Sequence, residues 1–112
     1  MITARLFQNS DKQYWGFQIE GHAGYAEEGE DIICAAVSVL TLNTANSIEA
    51  LTKADPVCSM EDGFLSCSVP ALRKDSHIYP DVTLLLDSLA LGLKSIAETY
   101  GTQYLHVLTI QK

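Results

Sequence analysis

The sequence predicts an α+β fold, a single layered domain in which two helices pack with a mostly antiparallel or mixed sheet. Two pairs of segments alternate apolar and polar residues around short turns, which is typical of β-hairpins. Two longer segments carry apolar residues at helical spacing. The order is therefore strand-strand-helix-strand-strand-helix-strand. A chain of 112 residues, 47% hydrophobic, has room for one such domain, over residues 1–112.

The first hairpin is predicted from alternation on either side of a polar run. Apolar residues alternate with polar ones from Ile2, the run 8–13 turns the chain, and alternation resumes at Trp15. We expect this second strand to end at His22.

The first helix is predicted to follow Asp31. Asp is a good N-cap residue, and the apolar residues that follow it recur at helical spacing. The helix should extend over about 32–53, since Pro56 excludes its continuation. Many small side chains along it permit close packing.

The second hairpin is predicted around Asp62-Gly63, a favoured two-residue turn between the segments 57–61 and 64–69. This turn places Cys58 opposite Cys67. Under oxidising conditions the two could form a cross-strand disulfide. The favoured expectation is that both are small buried hydrophobes that face the core beside Met60 and Leu65.

The second helix should begin at Pro80, after an irregular polar segment over 70–79. Pro suits the first helical position, a broad apolar stripe follows, and Gly101 closes the helix. The segment 104–110 is then predicted to be the last strand.

Charge and composition restrict the function. The formal net charge is -7, with only seven Lys and Arg residues, so direct nucleic-acid binding is not expected and a basic partner fits better. No apolar uncharged stretch reaches about eighteen residues, so a membrane partner is not expected either. Three cysteines without zinc-type spacing favour a reducing compartment, and we expect a cytoplasmic protein.

His22 and Cys34 are the candidate catalytic residues. Cys34 should occupy the third position of the first helix, where unpaired N–H groups and the helix dipole favour thiolate over thiol. If the chain turns back over the intervening loop, His22 can act as its base. A cysteine at a helix start is also a common packing residue, and this alternative stays open.

Neighbouring residues have more than one interpretation. Asp31 can orient His22, cap the helix, or do both, and Ser38 lies one turn beyond Cys34 on the same face. The acidic loop containing Gly24, Tyr25 and Gly29 is interpreted as a substrate gate, or else as an ordinary solvated connector.

A metal site built from His22, Asp31 and Cys34 is the alternative to this thiol site. The spacing of these residues is unlike the usual paired ligand patterns, so no metal and no cofactor is expected.

The span 21–38 closely resembles the signature of the bacterial ribosomal-processing cysteine protease family. The resemblance comprises Gly-His-Ala-Gly-Tyr-Ala, a short acidic stretch, and Asp-Ile-Ile-Cys-Ala-Ala-Val-Ser. It implies an endopeptidase of Firmicutes and related bacteria that removes the N-terminal extension of one large-subunit ribosomal protein, cutting after an aromatic pair. It also implies that Cys34 is the nucleophile, that His22 is the general base and acid, and that the protein is a homodimer.

Two other functions use the same reactive thiol. One is a non-catalytic ribosome-assembly or redox-sensing binding protein, although no resolving cysteine lies near Cys34 in sequence. The other is a thioesterase or acyltransferase, which would apply the same chemistry to a different carbonyl.

Overall fold

The computed structural model describes residues 1–24 and 31–112. Over these residues the elements follow the predicted order, with one short helix added. They are strands β1 (Ile2–Gln8) and β2 (Tyr14–Gly21), helix α1 (Ile32–Leu51), strands β3 (Val57–Glu61) and β4 (Phe64–Ser68), helices α2 (Ala71–Lys74) and α3 (Pro80–Tyr100), and strand β5 (Leu105–Gln111).

The strands form one five-stranded sheet in the order β3-β4-β2-β1-β5. Neighbours pair antiparallel except β1 and β5, which are parallel, so the sheet is mixed. Ile2 on β1 lies opposite Gly21 on one side and Leu105 on the other. The predicted α+β fold class is confirmed.

The two long helices pack unequally on the sheet. α3 contacts β2 and β5, while α1 packs mainly against α3. The helices approach closely at Gly92, where a Cβ would lie 2.7 Å from Leu40 Cδ2. A cleft lies between α1 and the β3–β4 hairpin. The core contains large fully buried side chains from both layers, among them Phe17, Leu6, Ile33, Ile48, Leu86 and Leu93.

α1 is apolar around much of its circumference. By length and composition alone it could cross a membrane, a test that the core helix of a globular protein also passes. Ile33, Val37 and Ile48 are buried within the fold, so α1 contributes a face to this core.

The one-turn helix α2 lies within the segment that the sequence predicts to be irregular. Leu72 is fully buried and fixes this turn to the core, and its carbonyl accepts a 2.8 Å hydrogen bond from Nδ2 of the buried Asn9. A tertiary contact therefore orders a segment whose own sequence is mostly polar.

The expectation for Cys58 and Cys67 is wrong in two respects. The residues do lie opposite each other, but the structure joins them by a disulfide. Cys67 is buried, whereas Cys58 is exposed and Met60 is 68% exposed. The physical reason is that β3 is the edge strand of the sheet and every residue along it is exposed.

Candidate functional site

His22 directly follows β2 and lies against the β3–β4 turn. Gly21 donates a 2.8 Å backbone hydrogen bond to the Gly63 carbonyl, which ties the end of β2 to that turn. A Cβ on Gly63 would lie 3.1 Å from His22 Nε2, and Gly63 has a φ of 71°. Glycine at position 63 therefore leaves room for the imidazole, because the Cβ of any other residue would lie too close to the ring.

Cys34 occupies the third position of α1, as predicted, and Asp31 caps the helix. Asp31 Oδ1 accepts hydrogen bonds from the backbone N–H groups of Ile33 and Cys34, each at 3.0 Å. These bonds satisfy two of the donors that a helix start leaves unpaired. On its other side, Cys34 Sγ accepts a 3.2 Å hydrogen bond from the N–H of Ala23.

The electrostatic surroundings of Cys34 differ from the sequence expectation. Burial raises the pKa of the Cys34 thiol above its ordinary value, and the Ala23 N–H bond opposes this only in part. The Asp31 carboxylate raises the pKa further, both by accepting a hydrogen bond from the thiol and by its negative charge. These surroundings argue against the predicted readily ionised thiol, first because the sulfur is partly buried and second because the carboxylate that caps the helix faces it.

Cys34 and His22 line the same cavity, which has a volume of about 310 Å³. One wall comes from α1 and includes Ser38 one turn beyond Cys34. The opposite wall is the hairpin segment 60–65, and the apolar side chains of Ile2 and Ile19 also contribute. Glu61 and Asp62 add carboxylates to an otherwise largely apolar surface.

The structure thus brings together most of the predicted site. His22, Cys34 and Ser38 line one cavity, and Asp31 contacts the thiol. Gly24 is exposed, with a φ of 69° and open space around its Cβ position. Tyr25 and Gly29 lie outside the described residues, so the gate remains a prediction.

Two components of the site are not predicted from sequence. The hairpin wall over residues 60–65 is recognisable as a turn, but its position across from α1 is set by the sheet order. The Ala23 N–H donor carries no side-chain signal. In the sequence, the only indication that Ala23 belongs to the site is that it follows His22 directly.

The chemistry that this arrangement can perform is limited and specific. A thiol is a nucleophile once deprotonated, an imidazole can accept and return a proton, and a backbone N–H can stabilise developing charge on oxygen. Across residues 1–24 and 31–112, no three His, Cys, Asp or Glu side chains converge as a metal site.

Comparison with characterised proteins gives consistent results. The chain is 26% identical over 102 residues to the ribosomal processing cysteine protease Prp of Bacillus subtilis, covering 89% of this chain and 90% of that protein. It is also 26% identical over 101 residues to the Prp protease of Staphylococcus aureus, covering 90% and 92%.

Solved structures share the fold over nearly the whole chain. A crystal structure of the S. aureus Prp protease with a covalently linked product peptide superposes with a TM-score of 0.86 at 25% identity, covering 97% of this chain and 99% of that one. The crystal structure of SMU.848 from Streptococcus mutans gives 0.82 at 28% identity, covering 100% and 96%. The family model for cysteine protease Prp matches residues 1–105. With a thiol and an imidazole facing one cavity on this fold, the chain belongs to the cysteine protease Prp family.

Proposed function

We propose that this cysteine protease removes the N-terminal extension of a bacterial large-subunit ribosomal protein, with Cys34 as nucleophile and His22 as general base and acid. The observation that carries the proposal is that both side chains line one cavity. The names of the B. subtilis and S. aureus relatives, ribosomal processing proteases, support the substrate class.

The proposed reaction starts with transfer of the Cys34 proton to His22. The sulfur attacks the scissile carbonyl, and the resulting tetrahedral oxyanion collapses to an acyl-enzyme as His22 protonates the leaving amine. Water activated by His22 then hydrolyses the thioester and releases the second product.

The Ala23 N–H is the donor that we assign to the oxyanion. The N–H groups of Ile33 and Cys34 are already bonded to Asp31, so they are not free for this task. The Ala23 N–H donates to Sγ at 3.2 Å in the free enzyme, and we assign it to the oxyanion once the sulfur has bonded to the carbonyl carbon.

Asp31 is assigned a positioning role through the thiol. Its carboxylate fixes the first turn of α1 and, together with burial, disfavours ionisation of Cys34 in the free enzyme. Ser38 borders the same cavity and is assigned to its polar edge.

The cavity surface supports a basic peptide with large apolar side chains as the substrate. Ile2, Ile19 and Leu65 provide apolar contacts, while Glu61 and Asp62 provide negative charge. These features suit the aromatic pair that the family resemblance implies, and the net charge of -7 suits a basic ribosomal protein.

We also propose that the protein acts as a homodimer in the cytoplasm. Exposed apolar side chains on the outer surfaces of α1 and α3, including Val39 and Leu91, support self-association. A reducing compartment supports the function because it keeps a nucleophilic thiol reduced.

The test is incubation with a ribosomal protein that carries its N-terminal extension, with the cleavage position read by mass spectrometry. We expect one cut after the aromatic pair, and none with Cys34→Ala or His22→Ala. His77→Ala, which replaces an exposed histidine outside the cavity, is the matched control and should cleave normally. Cleavage at the normal rate by Cys34→Ala would refute the assignment.

A further inference from the structure

The Cys58–Cys67 pair lies in the β3–β4 hairpin, one same-side pair along from residues that line the cavity. The two Cα atoms are 4.1 Å apart across β3 and β4, as in a closely facing antiparallel pair. Side chains alternate along a strand, so the next facing pair on the same side of the sheet is Met60 and Leu65. Both of these residues line the cavity.

The two sulfurs differ in access. Cys58 is exposed on the edge strand, whereas Cys67 is only 1% exposed and faces the core. A small thiol or disulfide in solution can therefore reach Cys58 while Cys67 is shielded. This asymmetry suits a pair in which one sulfur exchanges with solution and the other resolves the intermediate.

We propose that Cys58 and Cys67 form a reversible thiol–disulfide modification site that exchanges with a low-molecular-weight disulfide and controls the cleft wall. In oxidation, the Cys58 thiolate attacks the small disulfide and releases one small thiolate. Cys67, as its thiolate, then attacks the Cys58 sulfur of the mixed disulfide and releases the second. The dithiol loses two electrons and two protons, and the small disulfide becomes two thiols.

The position of β3 makes the wall sensitive to this bond. Among the described strands β3 lies at the edge of the sheet beside β4, and all its residues are exposed. The disulfide adds a covalent link between β3 and β4 beside the Met60–Leu65 pair. The oxidised wall is therefore pre-organised for a peptide, whereas the reduced wall has to be ordered during binding.

The first experiment needs no substrate. Full-length Cys34→Ala protein is equilibrated in glutathione buffers from fully reduced to fully oxidised, quenched with acid and alkylated, and its thiols are counted by intact mass. We expect the free thiols of Cys58 and Cys67 to disappear together on oxidation and to return together on reduction. The hydrogen-exchange rates of backbone amides over 57–68 should be lower in the oxidised form by a factor of about three or more.

The matched control carries Cys58→Ser and Cys67→Ala in the same background, and its exchange should not respond to glutathione. A dithiol that persists in the most oxidising buffer would overturn the proposal. Equal exchange over 57–68 in the two redox forms would overturn it as well.

The second experiment addresses the cleft and rests on the proposed function. A peptide containing the ribosomal protein extension is titrated into both redox forms of Cys34→Ala, and we expect about threefold or tighter binding to the oxidised form. Equal affinity for the two forms would refute control of the cleft. Absence of binding to either form would refute the proposed substrate instead, and the exchange experiment would still decide the redox site.

Discussion

The Asp31 carboxylate caps helix α1 and also opposes ionisation of the Cys34 thiol. Asp31 accepts hydrogen bonds from two backbone N–H groups at the start of α1 and also faces the sulfur. Helix starts usually favour thiolate, but a nearby anion and burial act in the opposite direction. In this structure burial and the nearby anion outweigh the helix start, so the pKa of the free thiol lies above its ordinary value.

Asp31→Asn should move the ionisation of Cys34 to lower pH. Asn retains an oxygen that caps the helix but removes the negative charge, so the thiolate is less disfavoured and the pKa falls. The rate of iodoacetamide alkylation, measured against pH, should reach its half-maximum at lower pH. At neutral pH, below the pKa of the thiol, the thiolate fraction and the alkylation rate should both rise.

Asp62→Asn is the control for that measurement. Asp62 is a carboxylate at the cavity with no part in the Cys34 pKa, and Asn-Gly preserves a favoured hairpin turn. An identical alkylation profile for Asp31→Asn and the unmodified protein would contradict the account of the thiol.

Gly63→Ala should impair catalysis more than stability. The new methyl group would lie 3.1 Å from His22 Nε2 and displace the imidazole, and the φ of 71° adds a backbone penalty of about 1 kcal/mol. We expect a fall in kcat measured on a peptide substrate. Gly101→Ala is strained more strongly, with a φ of 114°, but it meets Gln103 rather than His22, so it should lower stability without this fall in kcat. Equal kcat values for the two variants would show that the turn does not position His22.

At the scale of elements, the β2–β4 contact depends on a residue without a side chain. A Cβ on Gly16 would lie 2.8 Å from Ser68 Cβ and 3.0 Å from the Cys67 carbonyl oxygen, and the backbone oxygen cannot rotate away. Gly16→Ala should therefore separate β2 from β4 and lower the free energy of unfolding by about 1–3 kcal/mol in urea titrations.

Gly92→Ala provides the comparison for Gly16→Ala. Its Cβ would meet Leu40 Cδ2, the end of a flexible side chain, and alanine favours a helix by about 1 kcal/mol over glycine. Gly92→Ala should therefore be the milder change. The reverse order of stabilities would contradict the rigidity assigned to the β2–β4 contact.

Local sequence patterns are sufficient to predict the elements, and part of the site. The Asp62-Gly63 turn sets the register that faces Cys58 with Cys67, and Asp31 marks the start of α1. Whether Cys58 and Met60 are exposed depends on which strand lies at the sheet edge, and this is decided by long-range pairing. The thiol pKa likewise depends first on the burial of Cys34, which is decided by packing between distant segments, and only then on the Asp31 carboxylate beside it.

At the scale of the whole molecule, the outer surfaces of the helices determine whether the chain self-associates. Leu84 and Leu91 lie two turns apart on α3 and are 69% and 70% exposed. We expect light scattering to give the mass of a dimer, and Leu84→Ser with Leu91→Ser to shift it toward a monomer. Lys94→Ser, at an exposed polar position of the same helix, should leave the mass unchanged. A monomer mass for the unmodified protein would refute the proposed homodimer.

The parallel pairing of β1 with β5 also determines when the protein can finish folding during translation. Among the described elements β1 precedes all others in the chain, whereas β5, one of its two neighbours, follows them all. Contacts between such distant segments form slowly, because a long loop must close before they contribute free energy. Until β5 leaves the ribosome, the edge of β1 that pairs with it stays open, and Ile2 on this edge also lines the cavity that contains Cys34. We therefore expect protease activity only once β5 can pair with β1, with β1 and β5 protected together in pulsed hydrogen exchange.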